Sequence, residues 1–480
     1  MNKRIFPQIH FYDKDFIDIY ERAWKHIEHY WQPVEEGMDQ KYFYYPEEGG
    51  KFLDQYASIF STFFLVYSNR NYIAETNLDY FYRKQEITGA IRSRYNLETD
   101  TAVITKDNPE GIGIPIFAWA ELNVYNMTAN KRRLKEVLPI LENYMQWLND
   151  TCRSKDGLYH APAAAMNYIN GPRKECFFPA DFNACVALNT LCLAEIADIL
   201  NEKEIEFKYK KMYFGIKTRI NEKMWDEETG FYYDLDKNES MLLTKALSSY
   251  WTLLAEVPNK PKVEKLLAQL ADPKVFGTEH PFPSLAVSDA SFNEKGNGYC
   301  GSVFPELNYM VIKGMQKYGF FESAREYAMR HIYFVLETIF PSDEAKAESG
   351  TAAFWEAYNP YHEGPASWQR HSWFPRKDYV LTVGLTTISM MIENVLGLEV
   401  NLPRKTIDWT ISNIEEMGIQ NISLKKNMIR KITTEKTNRG WEIKIENEKL
   451  YYFALKILDQ NKDKRLPIPS GTCSMLIEKL

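Results

Sequence analysis

Residues 178–200 read FPADFNACVALNTLCLAEIADIL. Beyond the proline, apolar residues return at steps of three and four, the period of one face of an α-helix. The same period runs outward on both sides. It is present in 15–31 (DFIDIYERAWKHIEHYW), 132–148 (RRLKEVLPILENYMQWL) and 208–225 (KYKKMYFGIKTRINEKMW), and again in 308–319 and 323–340. Between these segments lie loops rich in Gly, Pro and Asn, such as NPEGIGIP at 108–115, FGTEHPFPS at 276–284 and NEKGNGYCGSVFP at 293–305. A helical hairpin hides only one apolar stripe, so several hairpins must close on each other. No strict repeat is present, which argues against a solenoid array.

The texture changes near residue 400. Segments 419–437 (IQNISLKKNMIRKITTEKT), 440–448 (GWEIKIENE) and 450–458 (LYYFALKIL) alternate polar and apolar residues and are rich in β-branched side chains, which predicts strands. The expected organisation is mainly α: helical hairpins over 1–400, then a small β-sandwich-like domain over 401–480, with the linker near Pro403.

Composition narrows the function classes. The chain has 480 residues and a formal net charge of −7, and no basic stretch interleaves with aromatics, so nucleic acid is a poor partner. The N-terminus MNKRIFPQIHFYD lacks the apolar core of a secretion signal, and no segment approaches the ~20 apolar residues of a membrane span. The expectation is a soluble, cytoplasmic protein, or a periplasmic or secreted one if a signal has been removed; oligomeric state is not legible. Six cysteines form no CxxC pair and flank no histidine at metal-ligand spacing, so buried free thiols are expected and no cofactor or metal is called for. Aromatics reach 14%, with 31 Tyr, 27 Phe and 11 Trp. A large core accounts for most of them, and a cleft lined with rings for the sugar faces they can stack on is the sharper reading.

Four segments carry a family resemblance in the family's own order. FPADFNA (178–184), MWDEETGFYYDLD (224–236), GSVFPELNYMVIKGMQKYG (301–319) and FWEAYNPYHEG (354–364) resemble recurring motifs of glycoside hydrolase clan G, the trehalases and the family 63 processing and mannosylglycerate-type glycosidases. The likeness spans roughly residues 40–395. It implies an (α/α)6 barrel of six helical hairpins with a cleft at one end, a carbohydrate substrate, and hydrolysis of an α-linked oligosaccharide or glycoside with inversion.

Inverting hydrolysis needs an acid for the leaving oxygen and a base for the attacking water, roughly 6.5–9.5 Å apart. Glu356 lies between Trp355 and Tyr358 in a stretch whose Asn359, Pro360 and Gly364 favour a turn. The resemblance assigns it the base. At the family's acid position stands Asn167, and an amide cannot donate a proton as a carboxylic acid does. Three explanations remain open: Glu175 or Asp181 supplies the proton, the leaving group needs little protonation, or the protein binds sugar without cleaving it. Asp181 also suits the cap of the following helix.

KFLDQYASIFS (51–61) resembles a clan segment whose aspartate holds sugar hydroxyls, which places Asp54 and Gln55 among the substrate-binding candidates; Asp54 also suits a helix N-cap. Arg92, Arg94 and Arg173 are candidates for orienting a hydroxyl or carboxylate, against the ordinary reading of arginines in ion pairs. Trp355, Tyr358, Trp368 and Trp373 are candidate platforms, whereas Trp119 and Trp225 fall at core spacing. His160, His362 and His371 form no metal motif. A lyase on a helical barrel is the rival reading, with Asn167 and Arg173 neutralising a uronate and Tyr168 or His160 as base.

Overall fold

The computed structural model describes residues 6–33, 41–47, 50–166, 171–342, 350–367, 374–424 and 427–478. Twelve helices are described: α1 Lys14–Tyr30, α2 Gln55–Leu65, α3 Thr76–Arg83, α4 Phe117–Thr128, α5 Lys131–Cys152, α6 Ala180–Leu200, α7 Lys203–Lys223, α8 Trp251–Leu254, α9 Lys260–Ala271, α10 Pro305–Lys317, α11 Phe321–Ile339 and α12 Val380–Gly384. The last continues through two π-type turns, Leu385–Ser389 and Met391–Val395.

The even-numbered helices are the deeply buried ones. In α6 only Leu191, Glu195 and the last residues escape burial, whereas its partner α7 buries Tyr209, Tyr213, Ile216 and Ile220 along one stripe. That is the division between a core helix and a surface helix. The core helices touch in sequence: α2 packs on α4, α4 on α6, α6 on α8, α8 on α10, α10 on α12, and α12 on α2 again. Glycine permits the tightest of these approaches. A Cβ on Gly384 of α12 would stand 2.3 Å from the Phe64 ring of α2, and one on Gly314 of α10 would stand 2.8 Å from Leu253 Cβ in α8. Helix α6 is also long and apolar enough to cross a membrane by length and composition, contrary to the expectation that no segment approaches this. Within the fold 72% of its most apolar window is buried, so its apolarity is explained by neighbours on all sides.

Polar side chains on the core helices brace the loops between them. Asn183 Nδ2 donates to Tyr159 O (2.9 Å) and Pro179 O (2.8 Å), while Tyr159 N donates to its Oδ1 (2.8 Å). Asn308 of α10 accepts from Phe282 N in the same way (2.7 Å). At the C-terminal ends of the core helices, Glu393 accepts from Tyr67, Tyr309 and Lys313 at 3.0, 2.9 and 2.8 Å.

The strands expected after residue 400 begin at Leu398 and form two sheets. One orders Leu398–Asn401, Thr406–Ile411, Tyr451–Ile457 and Lys462–Ile468, with the middle pair parallel. The other orders Gln8–Phe11, Met417–Ser423, Met428–Thr437, Gly440–Asn447 and Gly471–Glu478. Strand Gln8–Phe11 lies outside the range expected for strands: the N-terminal segment, assigned from sequence to the helical body, pairs antiparallel with Met417–Gln420. A four-residue strand leaves too short a period to detect. The sheets are tied to the helices by Trp409 Nε1 on Leu396 O (2.7 Å), Leu402 N on Asn126 O (2.7 Å) and the Arg325–Glu415 ion pair. Of the six free cysteines, Cys152, Cys185 and Cys192 are buried, whereas Cys176, Cys300 and Cys473 are only half-buried.

Candidate active site

Three chain segments run side by side across the N-terminal ends of α10 and α12. Val303 and Tyr358 exchange two backbone hydrogen bonds of 2.9 Å, and Trp355 bridges Lys377 while Glu356 N donates to Arg376 O (2.9 Å). Segments 303–306, 354–358 and 374–378 therefore form a narrow ribbon with Glu356 on its middle member. Pro305 opens α10, a position where its fixed φ suits a helix and its missing N–H costs nothing.

Glu356 keeps 8% of its surface. Arg376 grips its carboxylate: backbone N (3.1 Å) and Nε (2.9 Å) donate to Oε2, and Nη2 donates to Oε1 (2.5 Å). The guanidinium lies 3.8 Å above the Tyr379 ring, which fixes its plane. Beside it sits Glu306, the second residue of α10, 5% exposed. Among the described residues Glu306 Oε2 has no hydrogen-bond partner. Burial pushes the Glu306 carboxyl up to about 8, and the charge on Glu356 adds to this against the pull of its own amide and of Arg376. Asp54 completes the group. Its carboxylate is 3.6 Å from Arg94, whose guanidinium covers the Phe52 ring at 4.3 Å. The buried Tyr379 hydroxyl, held well above its usual range mainly by burial, senses Arg376, Asp54, Glu356 and Glu306 together. Tyr299 stacks on Phe304 (4.5 Å, 14°), which faces Phe374, and Gly171 lies against Tyr299.

The sequence candidates divide sharply. Glu356 and Asp54 are brought together. Asp54 stands at the N-cap of α2, as its cap reading anticipates, but without a side-chain cap bond, because its carboxylate faces Arg94. Trp355 is half-buried in the ribbon, its Nε1 donating to Thr351 O (2.8 Å). Asn167, Tyr168, Trp368, Trp373 and His371 lie outside the described residues. Glu175 is exposed in the loop before α6.

Several candidates are corrected. Asp181 and Arg173 are buried against each other and against Asp234. Arg173 Nη1 and Nη2 donate to Asp181 (2.6 and 3.0 Å), Nε and Nη2 to Asp234 (2.6 and 2.8 Å), and Nη1 to Ser248 (3.0 Å). Burial alone would raise the Asp181 carboxyl, but Arg173 outweighs it and holds the group below the carboxylate range. Asp181 therefore carries no proton to donate, and it sits inside the first turn, not at the cap, which is Pro179. Arg173, cast in the lyase reading as the uronate neutraliser, is committed to two protein carboxylates. Gln55 is 1% exposed and turns beneath α2, its Nε2 donating to Ile114 O (3.0 Å), so it braces a loop and does not meet substrate. Tyr358 is fully buried and its hydroxyl accepts from Trp355 N (2.9 Å), a support for the ribbon. Arg92 pairs with Glu86 and Glu110 over the Trp147 ring of α5, away from the ribbon. His160 stacks on Phe177 (5.0 Å) and His362 is exposed. Trp119 and Trp225 pack in ring clusters with Phe63 and Tyr232. No group of three or more His, Cys, Asp or Glu among the described residues could hold a metal.

Comparison with known proteins places the chain among carbohydrate-processing relatives. Residues 167–374 match the mannosylglycerate hydrolase MGH1-like glycoside hydrolase domain, and residues 397–480 match the trehalase C-terminal domain. The chain thus carries a domain like that of the GH63 mannosylglycerate hydrolases followed by one like the trehalase C-terminal domain. A protein of Borreliella burgdorferi described as "Uncharacterized protein" is 44% identical over the full length of both chains. Mannosylglycerate hydrolase of Rubrobacter radiotolerans is 27% identical over 162 residues, 32% of this chain and 35% of that one, so the matched stretch spans about a third of that enzyme. Among solved structures, the GH63 mannosylglycerate hydrolase of Thermus thermophilus in complex with Tris and D-glycerate superposes with a TM-score of 0.60 at 14% identity, over 77% of this chain and 99% of that one. That likeness concerns the fold.

Proposed function

We propose that this chain is an inverting glycoside hydrolase acting on an α-linked oligosaccharide or glycoside, built as an (α/α)6 barrel with its cleft at the N-terminal ends of the core helices. The closed succession of contacts α2–α4–α6–α8–α10–α12 supports the barrel. The helical body and the two-sheet unit act as separate domains, with the N-terminal strand belonging to the second. The reading rests above all on one observation: Glu356, in the segment that resembles the family's base motif, is held by a three-segment ribbon at the mouth of that barrel, with Glu306 and Asp54 around it.

In this mechanism Glu356 accepts a proton from a water poised on one face of the anomeric carbon. Arg376 fixes the carboxylate so that its orientation is set before substrate arrives. Asp54 accepts from sugar hydroxyls, and the part-exposed rings of Tyr299 and Trp355 offer faces to the sugar. The acid in the resemblance falls on Asn167, which cannot fill the role.

The test is a panel of mannosylglycerate, trehalose and α-linked gluco- and manno-oligosaccharides followed by proton NMR. Release of a reducing sugar whose first-formed anomer is β supports the reading. A first-formed α anomer would contradict inversion, an unsaturated product would return the lyase, and no cleavage at all would leave a binding protein.

A further inference from the structure

At the end of the helical body away from the ribbon, the C-terminal ends of the core helices meet the C-terminal sheets across a cavity. From the helical side it is lined by Asn123 of α4, Lys313 of α10 and Asn394 in the last π-type turn after α12; from the sheet side Asp408, Thr410 and Lys456 line it. Its volume is about 360 Å³, inside the roughly 300–1,000 Å³ that small-molecule sites occupy.

Two amides set this cavity apart. Asn394 is 3% exposed, and among the described residues neither its Oδ1 nor its Nδ2 has a hydrogen-bond partner. Asn123 Nδ2 is likewise buried without one. The residue before Asn394 shows the contrast, since the Glu393 carboxylate is engaged by Tyr67, Tyr309 and Lys313. A buried amide left unpaired is costly, and a ligand offering both donors and acceptors relieves it. Asn394 donates through its nitrogen and accepts at its oxygen, and Asn123 adds a further donor. A hydroxyl both donates and accepts, so two neighbouring hydroxyls of a sugar ring satisfy such an amide at both ends.

Charge decides which sugar. Among the described residues the lining carries four cationic and four acidic side chains, so its formal charges cancel. Two of the cations are already committed: Lys313 to Glu393 at 2.8 Å, and Arg325 to Glu415 and to Val395 O. A wall without net charge draws in neither an anion nor a cation, and a sugar phosphate or an amino sugar would leave its own charge poorly paired there.

We propose that this seam is a carbohydrate site separate from the ribbon, which takes a neutral mono- or disaccharide and holds its hydroxyls through Asn394 and Asn123. A ligand seated there touches both the helical body and the sheets, so its binding favours the docked arrangement of the two. The inference does not draw on the role of Glu356 and is tested without turnover.

The experiment is hydrogen–deuterium exchange of the full chain with millimolar glucose, mannose or trehalose, and with glucose 6-phosphate and glucosamine as charged counterparts. The neutral sugars should slow backbone exchange over 394–412 and 456–465. Asn394→Leu should weaken that protection by roughly tenfold or more in sugar concentration, while any protection of 303–306 and 354–358 stays as in the wild type. Because the leucine replaces an amide without an internal partner, the ligand-free variant should melt at or above the wild-type temperature. A folded Asn394→Leu protein that melts lower would make the amide a brace of the fold and overturn the proposal. So would an absence of protection over 394–412 with every neutral sugar, or stronger protection by a charged counterpart. If Asn394→Leu yields no folded protein, Asn123→Ala carries the same loss of affinity, and an affinity equal to the wild type in that variant would overturn the assignment.

Discussion

Two arginine–carboxylate clusters sit at the N-terminal ends of the core helices, and they are built to opposite specifications. In the first, Arg173 spreads its donors over Asp181, Asp234 and Ser248, Asp234 also takes Ala180 N at 2.8 Å, and the three charged residues keep no more than 5% of their surface. In the second, Arg376 commits to Glu356 alone among the two nearby glutamates, and Glu306 keeps an oxygen without a partner among the described residues. Residue types are alike, though the second cluster lies less deep, its arginine and glutamate side chains 16% and 11% exposed against 4% and 0% for Arg173 and Asp181. What differs is whether the hydrogen-bonding capacity is exhausted, and an exhausted cluster has nothing left to offer a substrate. The Arg173 cluster is a brace joining the loop before α6 to the segment at 234, whereas the Arg376 cluster is the proposed reaction site.

The strongest way to break this comparison is to disturb the brace. Asp181→Asn leaves Arg173 with one carboxylate in a dry site, and removing one partner of a buried pair costs about 3–5 kcal/mol. The expected outcome in urea denaturation is a large drop in midpoint, while the molecules that remain folded turn over substrate at the wild-type rate. A variant of undiminished stability that loses turnover would make Asp181 catalytic and erase the distinction.

A smaller effect sharpens the comparison at a third buried polar cluster, directly behind the Glu356 segment. His280 Nε2 faces His331 Nδ1 at 2.8 Å, His280 Nδ1 faces Asn359 O at 3.1 Å, and His331 Nε2 faces Thr386 Oγ1 at 3.3 Å. Every ring nitrogen has a partner, so this too is a brace. Burial pulls His331 down to about 3, and it pulls His280 well below its usual value, helped by His331 and Arg330. Both rings stay neutral in the fold, whereas the unfolded chain takes up protons below pH 6.5. The stability they provide is present above pH 6.5 and is lost as pH falls. For His331 the loss at pH 5 is about 2 kcal/mol, from 1.36 kcal/mol for each pH unit below 6.5. His331→Gln should flatten the fall in melting temperature between pH 6.5 and 5 and leave the pH profile of turnover unchanged; an unaltered acid slope would rule the pair out as its source.

The division between clusters explains what could be read from the sequence and what could not. Helical period and the onset of strands near 400 were legible because each is carried by neighbours along the chain. The Arg173 cluster was not, since its partners come from positions 181, 234 and 248, and nothing local shows that the arginine is already spent. Asp181 looked available for that reason. Gln55 sits next to Asp54 in the same motif, yet the first turn of α2 sends the two side chains apart, one toward Arg94 and the other beneath the helix to Ile114. Glu306 was invisible for the opposite reason. A glutamate just after proline at a helix start has a sufficient local explanation in the helix dipole, and its proximity to Glu356 arises only from the Val303–Tyr358 bridge. Strand Gln8–Phe11 was missed because its partner lies some 400 residues away in sequence.

The measurement that tests the account most directly is turnover per folded molecule of Glu356→Gln on a glycoside that the wild type cleaves. An amide at 356 can still accept a hydrogen bond from Arg376 but cannot take the proton from water. The expected result is a rate lowered by roughly 10²–10⁴ with a fall in urea midpoint smaller than that of Asp181→Asn, because the Arg376–Glu356 pair is less deeply buried. A wild-type rate in a folded Glu356→Gln protein would contradict it.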